Sequence, residues 1–345
     1  PWYFRDTPER IVVRKFEPEA SCDFAVEFLT AAPREKPFFL MVQMGPPHNP
    51  YGAPDAYMER YDPAKLTPPK NWQPNSAVRP AAKTVAKKKS APAAPANTNV
   101  PPGGREEIAA YYAAITAIDD QVGRLLRTLK DTGQDENTII LFTSDHGDML
   151  GSHGMRLKRK PHEESAGVPG IVRWPARIPK NRTVDTLFSH IDMPATLLGL
   201  AGIAVPKNFQ GADLSRVALG QTTAGPEAVL LQLFVPFRGD GILTPWRGLI
   251  TDRYTYARTA DAPWVLFDNR TDPWQMTNLA TDPAQEKLRA DLDARLAALM
   301  TEKRDAWSYN RAQHVEEGAQ LYGSKTYYTV DEYLAQAAAN GRAPK

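Results

Sequence analysis

The 345 residues are 42% apolar, enough to bury a large core, and their 42 Lys+Arg nearly cancel 40 Asp+Glu for a formal charge of +2. That balance excludes a nucleic-acid surface as the organising feature, since the excess charge sits in one local lysine cluster and the run Arg156 to Lys160 is too short and mixed to form another. No stretch approaches the ~18 apolar residues of a membrane span, and the opening PWYFRDTPER lacks the regions of a signal peptide. The single cysteine, Cys22, has no partner for a disulfide or a thiolate cluster and reads as a core residue.

Along the chain, Glu19 to Leu29 has helical apolar spacing, and Pro37 to Gly45 (PFFLMVQMG) is an apolar run of strand length that stops at the Pro-rich loop PPHNPYGAP. Ala77 to Gly104 turns to Ala, Pro and Lys, a composition that cannot pack a core and reads as a mobile surface insertion. Arg105 to Leu129 is the clearest helix, with Ile108, Tyr112, Ile115, Ile118, Val122, Leu125 and Leu129 predicted on one face. Thr132-Gly133 closes it and NTIILFTSDHG follows as a strand, an order that suggests an α/β domain. Val168 to Pro175 is a further short strand, and His190 to Ile203 opens with Asp192 in cap position and continues as a buried helix. After about Gly225 the texture changes: WRGLITDRYTYART and PWVLFDN resemble successive strands, and Ala284 to Arg304 an amphipathic helix. A smaller antiparallel α+β subdomain over 226–345 is expected, with a weakly patterned tail after Asp305.

In α/β proteins ligands bind beyond the carboxyl ends of the strands. Asp145 and His146 stand where the run to Thr143 stops, and Gly147 lets the backbone turn without a side chain in the way. A carboxylate beside an imidazole suits a divalent cation, although the tripeptide taken alone reads more simply as a turn with a surface histidine. Two other strand ends strengthen the cation reading. His48 follows the apolar run in GPPHNPY, and Lys158 lies in GMRLKRKPHEES shortly before the next strand. Together they offer a metal anchor, a proton donor and a cation suited to a tetrahedral oxyanion.

FTSDHGDMLGSHGMRLKRKPHEESAGVPGIVRWP resembles the second signature region of the sulfatases, members of the alkaline-phosphatase superfamily. KPFFLMVQMGPPHNPY, YYAAITAIDDQVGRLLRTL, HIDMPATLLGLAGI and LFDNRTDPWQMTNLA are similar to further family segments in the family's order, from about Asp23 to Ala280. The resemblance implies an α/β, alkaline-phosphatase-like fold: a mixed central sheet flanked by helices, incomplete at its N-terminal side, with the antiparallel subdomain after it. Residues 1–225 would be the C-terminal portion of the catalytic domain. By the same resemblance Asp145 and His146 match ligands of a catalytic divalent cation, most often Ca²⁺ with Mg²⁺ as the alternative. Lys158 matches the lysine that contacts sulfate oxygens, His48 the histidine near the sulfate and the leaving-group oxygen, and His153 a lining residue of the substrate pocket. Lys160 rivals Lys158, but the spacing of five residues to Glu163 favours Lys158. His162 replaces a common tyrosine, Leu157 a glycine and Ala166-Gly167 an Ile-Arg pair, departures that bear on pocket shape. His190 and His314 carry no motif and read as structural or surface residues.

The family's first Asp-Asp metal pair, and its Cys- or Ser-x-Pro-x-Arg motif whose first residue becomes the formylglycine nucleophile, are not found here; neither Cys22 nor Ser90 has the required neighbours. The chain is therefore expected to be the C-terminal part of a sulfatase and inactive alone, its parent hydrolysing a sulfated small molecule or carbohydrate. The alternatives are a phosphodiesterase or phosphonate monoester hydrolase of the same superfamily, and a non-catalytic truncated homologue. The family suggests a periplasmic, extracellular or lysosomal location. Oligomeric state cannot be read.

Overall fold

Helix α1 (Glu17–Ala31) and helix α3 (Arg105–Asp131), with the single turn α2 (Asp55–Met58) between them, pack into the first layer of the computed structural model. The model describes residues 15–74, 103–237, 240–305 and 307. The Ala/Pro/Lys segment up to residue 102 and most of the polar tail, His314 included, lie outside the described residues. Arg14–Ala306 forms one compact unit. Cys22 is fully buried on α1, and its thiol donates to the Gln121 carbonyl of α3, while Arg124 pairs with Asp23 at 2.7 Å beside it.

Helix α3 is where expected, and Ile108, Ile118 and Leu129 of its predicted face are buried, but the middle of that face differs. Tyr112 and Ile115 are exposed, and Ala110, Ala113, Ala114 and Ala117 are buried instead, the last three beside Phe16, Ala53, Tyr57, Met58 and Tyr61. Small side chains let neighbouring backbone come close, so the alanine stripe packs while the larger apolar residues that flank it stay at the surface. The run Pro37 to Gly45 belongs to no sheet among the described residues. Its burial still alternates with a period of two from Phe38 to Gly45. Phe38 packs edge-on against Phe28 of α1, and Phe39 and Met41 lie on the open face.

Strand β1 (Ile140–Thr143) pairs antiparallel with β2 (Gly170–Arg173), from Ile140 opposite Arg173 to Thr143 opposite Gly170. Between them runs a long loop that ends in one helical turn, α4 (Glu163–Ala166). Helix α5 (Asp192–Leu200) follows, where Asp192 is the first helical residue and not the cap. Its carboxylate accepts from the backbone N–H groups of Ser189 and Ala212, which ties the segment before the helix to the loop after it. A further turn, α6 (Ser215–Ala218), leads to the C-terminal sheet.

That sheet is a meander of β3 (Ala228–Leu233), β4 (Trp246–Thr251), β5 (Tyr254–Arg258) and β6 (Pro263–Asp268), antiparallel throughout, followed by α7 (Glu286–Glu302). The expected antiparallel strands and helix are present; β3 is an additional edge. Both faces of β4 are covered. Leu249, Tyr256 and Leu266 form a cross-strand row that is fully buried, and the Tyr256 hydroxyl reaches Asp293 of α7. On the other face Ile242, Trp246, Ala257, Val265 and Phe267 form a second cluster. His162 packs between His153 and Phe267, which carries the first part of the fold onto β6. Burial, reinforced by His153 and Lys160, pushes its imidazole down to about 3.

Leu266→Ala is expected to cost about 2–5 kcal/mol in a urea unfolding curve, whereas Phe39→Ser, at a site that is 80% exposed, stays within about 0.5 kcal/mol. A second expectation concerns pH. The unfolded His162 imidazole takes a proton near 6.5 and the folded one only near 3, so the unfolded state binds more protons between these values. The stability contributed by the neutral ring is complete above pH 6.5 and declines as pH falls toward 3, by up to about 1.4 kcal/mol per unit. Unfolding midpoints at pH 7 and 4.5 should therefore differ less in His162→Phe than in the parent chain.

Candidate active site

Four of the five residues singled out for the site come together. The Lys158 ammonium lies 2.5 Å from Nε2 of His48, and the His48 ring stands 5.8 Å edge-on from that of His146. The backbone N–H of His146 donates to the Asp145 carboxylate at 3.0 Å, and His146 Nε2 is 3.6 Å from the other Asp145 oxygen. Three segments distant in sequence thus place a cation, two imidazoles and a carboxylate side by side.

Local bonds set each group. His48 Nδ1 is 2.7 Å from the Asn49 carbonyl, which as an acceptor fixes the proton on Nδ1 and leaves Nε2 to accept from Lys158. His146 has the same arrangement with the Gly147 carbonyl at 2.8 Å, so its Nε2 lone pair is free on the side of Asp145. The Asp145 side chain is 86% exposed. His190 donates to the Ser144 carbonyl at 2.7 Å, a structural contact just before the pair. The His48 loop is tied to the loop after Asp145 by the Tyr51 hydroxyl, which donates to Asp148 at 2.8 Å; burial and this carboxylate raise the phenol, and burial pushes neighbouring Tyr111 up to about 12.

Gly147 is needed for space. A Cβ there would stand 2.1 Å from the Glu164 carbonyl, because the turn after His146 closes directly on α4 and the Gly147 N–H donates to Ser165. Lys158 and Lys160 separate clearly. The Lys158 ammonium meets His48 and, among the described residues, forms no ion pair, so its charge is available to an anion. The Lys160 ammonium is buried, donates to main-chain carbonyls of Arg156, Lys158 and Asp240, and is depressed by desolvation.

His153 is placed apart, in a buried polar cluster. Its Nε2 is 3.0 Å from the Asn71 amide nitrogen and 3.9 Å from the Glu164 carboxylate, and Asn71 also donates to the carbonyl of Trp274. Asn71, Glu164, Gln275 and Asp240 were not found by sequence reading. Each has a partner 80 or more residues away, as in the 112-residue separation between Glu163 N–H and Gln275, and no local pattern announces these contacts. Asp145 and His146 give one oxygen and one nitrogen donor, a pair that fits a divalent cation. Among the described residues no group of three His, Cys, Asp or Glu side chains could complete such a site.

A Sulfatase family model matches residues 7–203, and a model for the C-terminal region of N-sulphoglucosamine sulphohydrolase matches 151–303. The chain is 33% identical over 311 residues to an ulvan-active sulfatase of Formosa agariphila, covering 88% of this chain and 56% of that protein. It is 30% identical over 291 residues to an endo-4-O-sulfatase of Bacteroides thetaiotaomicron, covering 79% and 53%. The chain thus spans about half the length of these relatives. Among solved structures, the sulfatase-family protein yidJ of Bacteroides fragilis superposes with a TM-score of 0.69 at 32% identity, over 86% of this chain and 60% of that one. A phosphonate monoester hydrolase of Agrobacterium radiobacter, at 24% identity and a TM-score of 0.66 over 82% and 60%, shares the fold. With its four converging site residues on that fold, this chain belongs to the sulfatase family.

Proposed function

We propose that this chain forms one side of the active site of a metal-dependent sulfatase that hydrolyses a sulfate ester of a carbohydrate to alcohol and sulfate. The observation that carries the reading is the Lys158 ammonium against His48, without an ion pair among the described residues and beside Asp145 and His146. Asp145 and His146 would hold the cation, Ca²⁺ or Mg²⁺, through the carboxylate and the free Nε2 lone pair. Two donors are fewer than the six to eight oxygens a calcium ion takes, so the rest come from elsewhere. When bound, the cation supplies Lewis-acid charge to a sulfate oxygen.

Lys158 binds the remaining sulfate oxygens and stabilises the charge that grows on them. His48 is placed as the acid–base group at the leaving oxygen, its Nδ1–H oriented by Asn49 and its Nε2 turned to the site beside Lys158. The nucleophile, a formylglycine in this reading, belongs to sequence outside these 345 residues, so the chain alone turns nothing over. The carbohydrate assignment draws on relatives named for ulvan and for N-acetylglucosamine 6-sulfate.

The test is sulfate release from sulfated oligosaccharides by the full-length protein, with a phosphonate monoester as the competing substrate. Lys158→Ala should lower kcat/KM by about 10²–10³, and chelation of the cation should abolish turnover until it is restored. Preference for the phosphonate, sulfate release by the 345 residues alone, or an undiminished Lys158→Ala enzyme would each overturn the reading.

A further inference from the structure

The loop that delivers Lys158 is built from unfavourable backbone. Leu157 and Arg159, on either side of Lys158, both have left-handed φ values, 62° and 70°. Such conformations persist in non-glycine residues only when their surroundings over-determine them. Here every carbonyl from Arg156 to Arg159 is bound. The Lys160 ammonium donates to Arg156 at 2.9 Å and to Lys158 at 3.2 Å, Met149 N–H donates to Leu157 at 2.8 Å, and the Trp246 indole donates to Arg159 at 3.0 Å. The third Lys160 donor crosses to the Asp240 carbonyl at 2.9 Å. Asp240 also pairs through its carboxylate with Arg159 at 2.6 Å, and that guanidinium lies 3.5 Å above the Phe237 ring.

Lys160 is therefore a three-pronged cap: three N–H groups, three acceptors, and a residue 5% exposed. Two of its bonds curl the loop on itself, and the third fastens it to the segment just before β4. We propose that Lys160 is a positioning residue for Lys158, and that the Asp240–Trp246 segment of the C-terminal sheet is the anchor it uses. This deepens the sulfatase reading and rests on it for the word catalysis, but the placement of Lys158 is testable without it.

The experiment compares crystal structures and turnover of the full-length protein with those of Lys160→Met and Asp240→Asn. Lys160→Met keeps the stem and removes all three donors; Asp240→Asn keeps the accepting carbonyl and removes the charge that holds Arg159. The expected result is a folded Lys160→Met protein in which the Lys158 ammonium has moved by about 1 Å or more from His48 Nε2, with kcat lowered about 100-fold. Asp240→Asn shifts it in the same sense, and decides the matter if Lys160→Met does not fold. Lys158 unmoved in the folded variants overturns the proposal, whatever the turnover. If Lys158 moves but the parent protein hydrolyses no sulfate ester, the positioning role stands and the sulfatase reading falls.

Discussion

A compact cation must be held against an imidazole at the meeting point of three loops, and much of the surrounding structure answers to that requirement. An ammonium on a four-carbon stem has no preferred direction of its own, so its aim has to come from the backbone that carries it. The backbone at Leu157 to Arg159 is of the kind that relaxes unless it is fixed. Its fixings come from Met149 upstream, from Lys160 within the loop, and from Asp240 and Trp246 far downstream. The two halves of the compact unit are therefore joined at the loop that sets Lys158 against His48. His162, wedged between His153 and Phe267, adds packing to the same junction.

The opposite fates of two lysines follow from what surrounds them. Lys160 spends its charge on carbonyl dipoles inside the protein, at the cost of desolvation that depresses its ammonium. Lys158 is nearly as buried, yet it faces a neutral ring nitrogen and no carboxylate among the described residues. Had Asp240 paired with Lys158, that ammonium would not be left for an anion to meet. Asp240 instead pairs with Arg159, whose guanidinium also covers Phe237, so the acid is neutralised one residue away from the cation left for an anion.

Much of this was legible where local pattern and function coincide. The strand ending before Asp145-His146, the helix predicted over Arg105 to Leu129 and found over Arg105–Asp131, the antiparallel strands after 246 and the convergence of His48 and Lys158 could all be read from short runs. Periodicity misled at α3, where Tyr112 and Ile115 have the right spacing and the wrong exposure. Apolar spacing counts residue size as burial, whereas a close helix contact selects alanine. The Pro37–Gly45 run was read as a strand from its composition. Its side chains alternate in burial, but a strand becomes part of a sheet only through a partner, which a single run cannot specify.

Asn71, Glu164 and Asp240 escaped for another reason. A buried polar residue matters through what it bonds to, and these partners are contributed by contacts that close only when the chain has folded. Leu157 is the informative intermediate case. The sequence marked it as a departure from a glycine, and the structure places it at a φ of 62°, where glycine would sit without strain. A leucine there makes the loop costlier to form and leaves it more dependent on its anchors. The departure from glycine and the dense bonding around it are thus two sides of one constraint: where the residue cannot hold the conformation, its neighbours must.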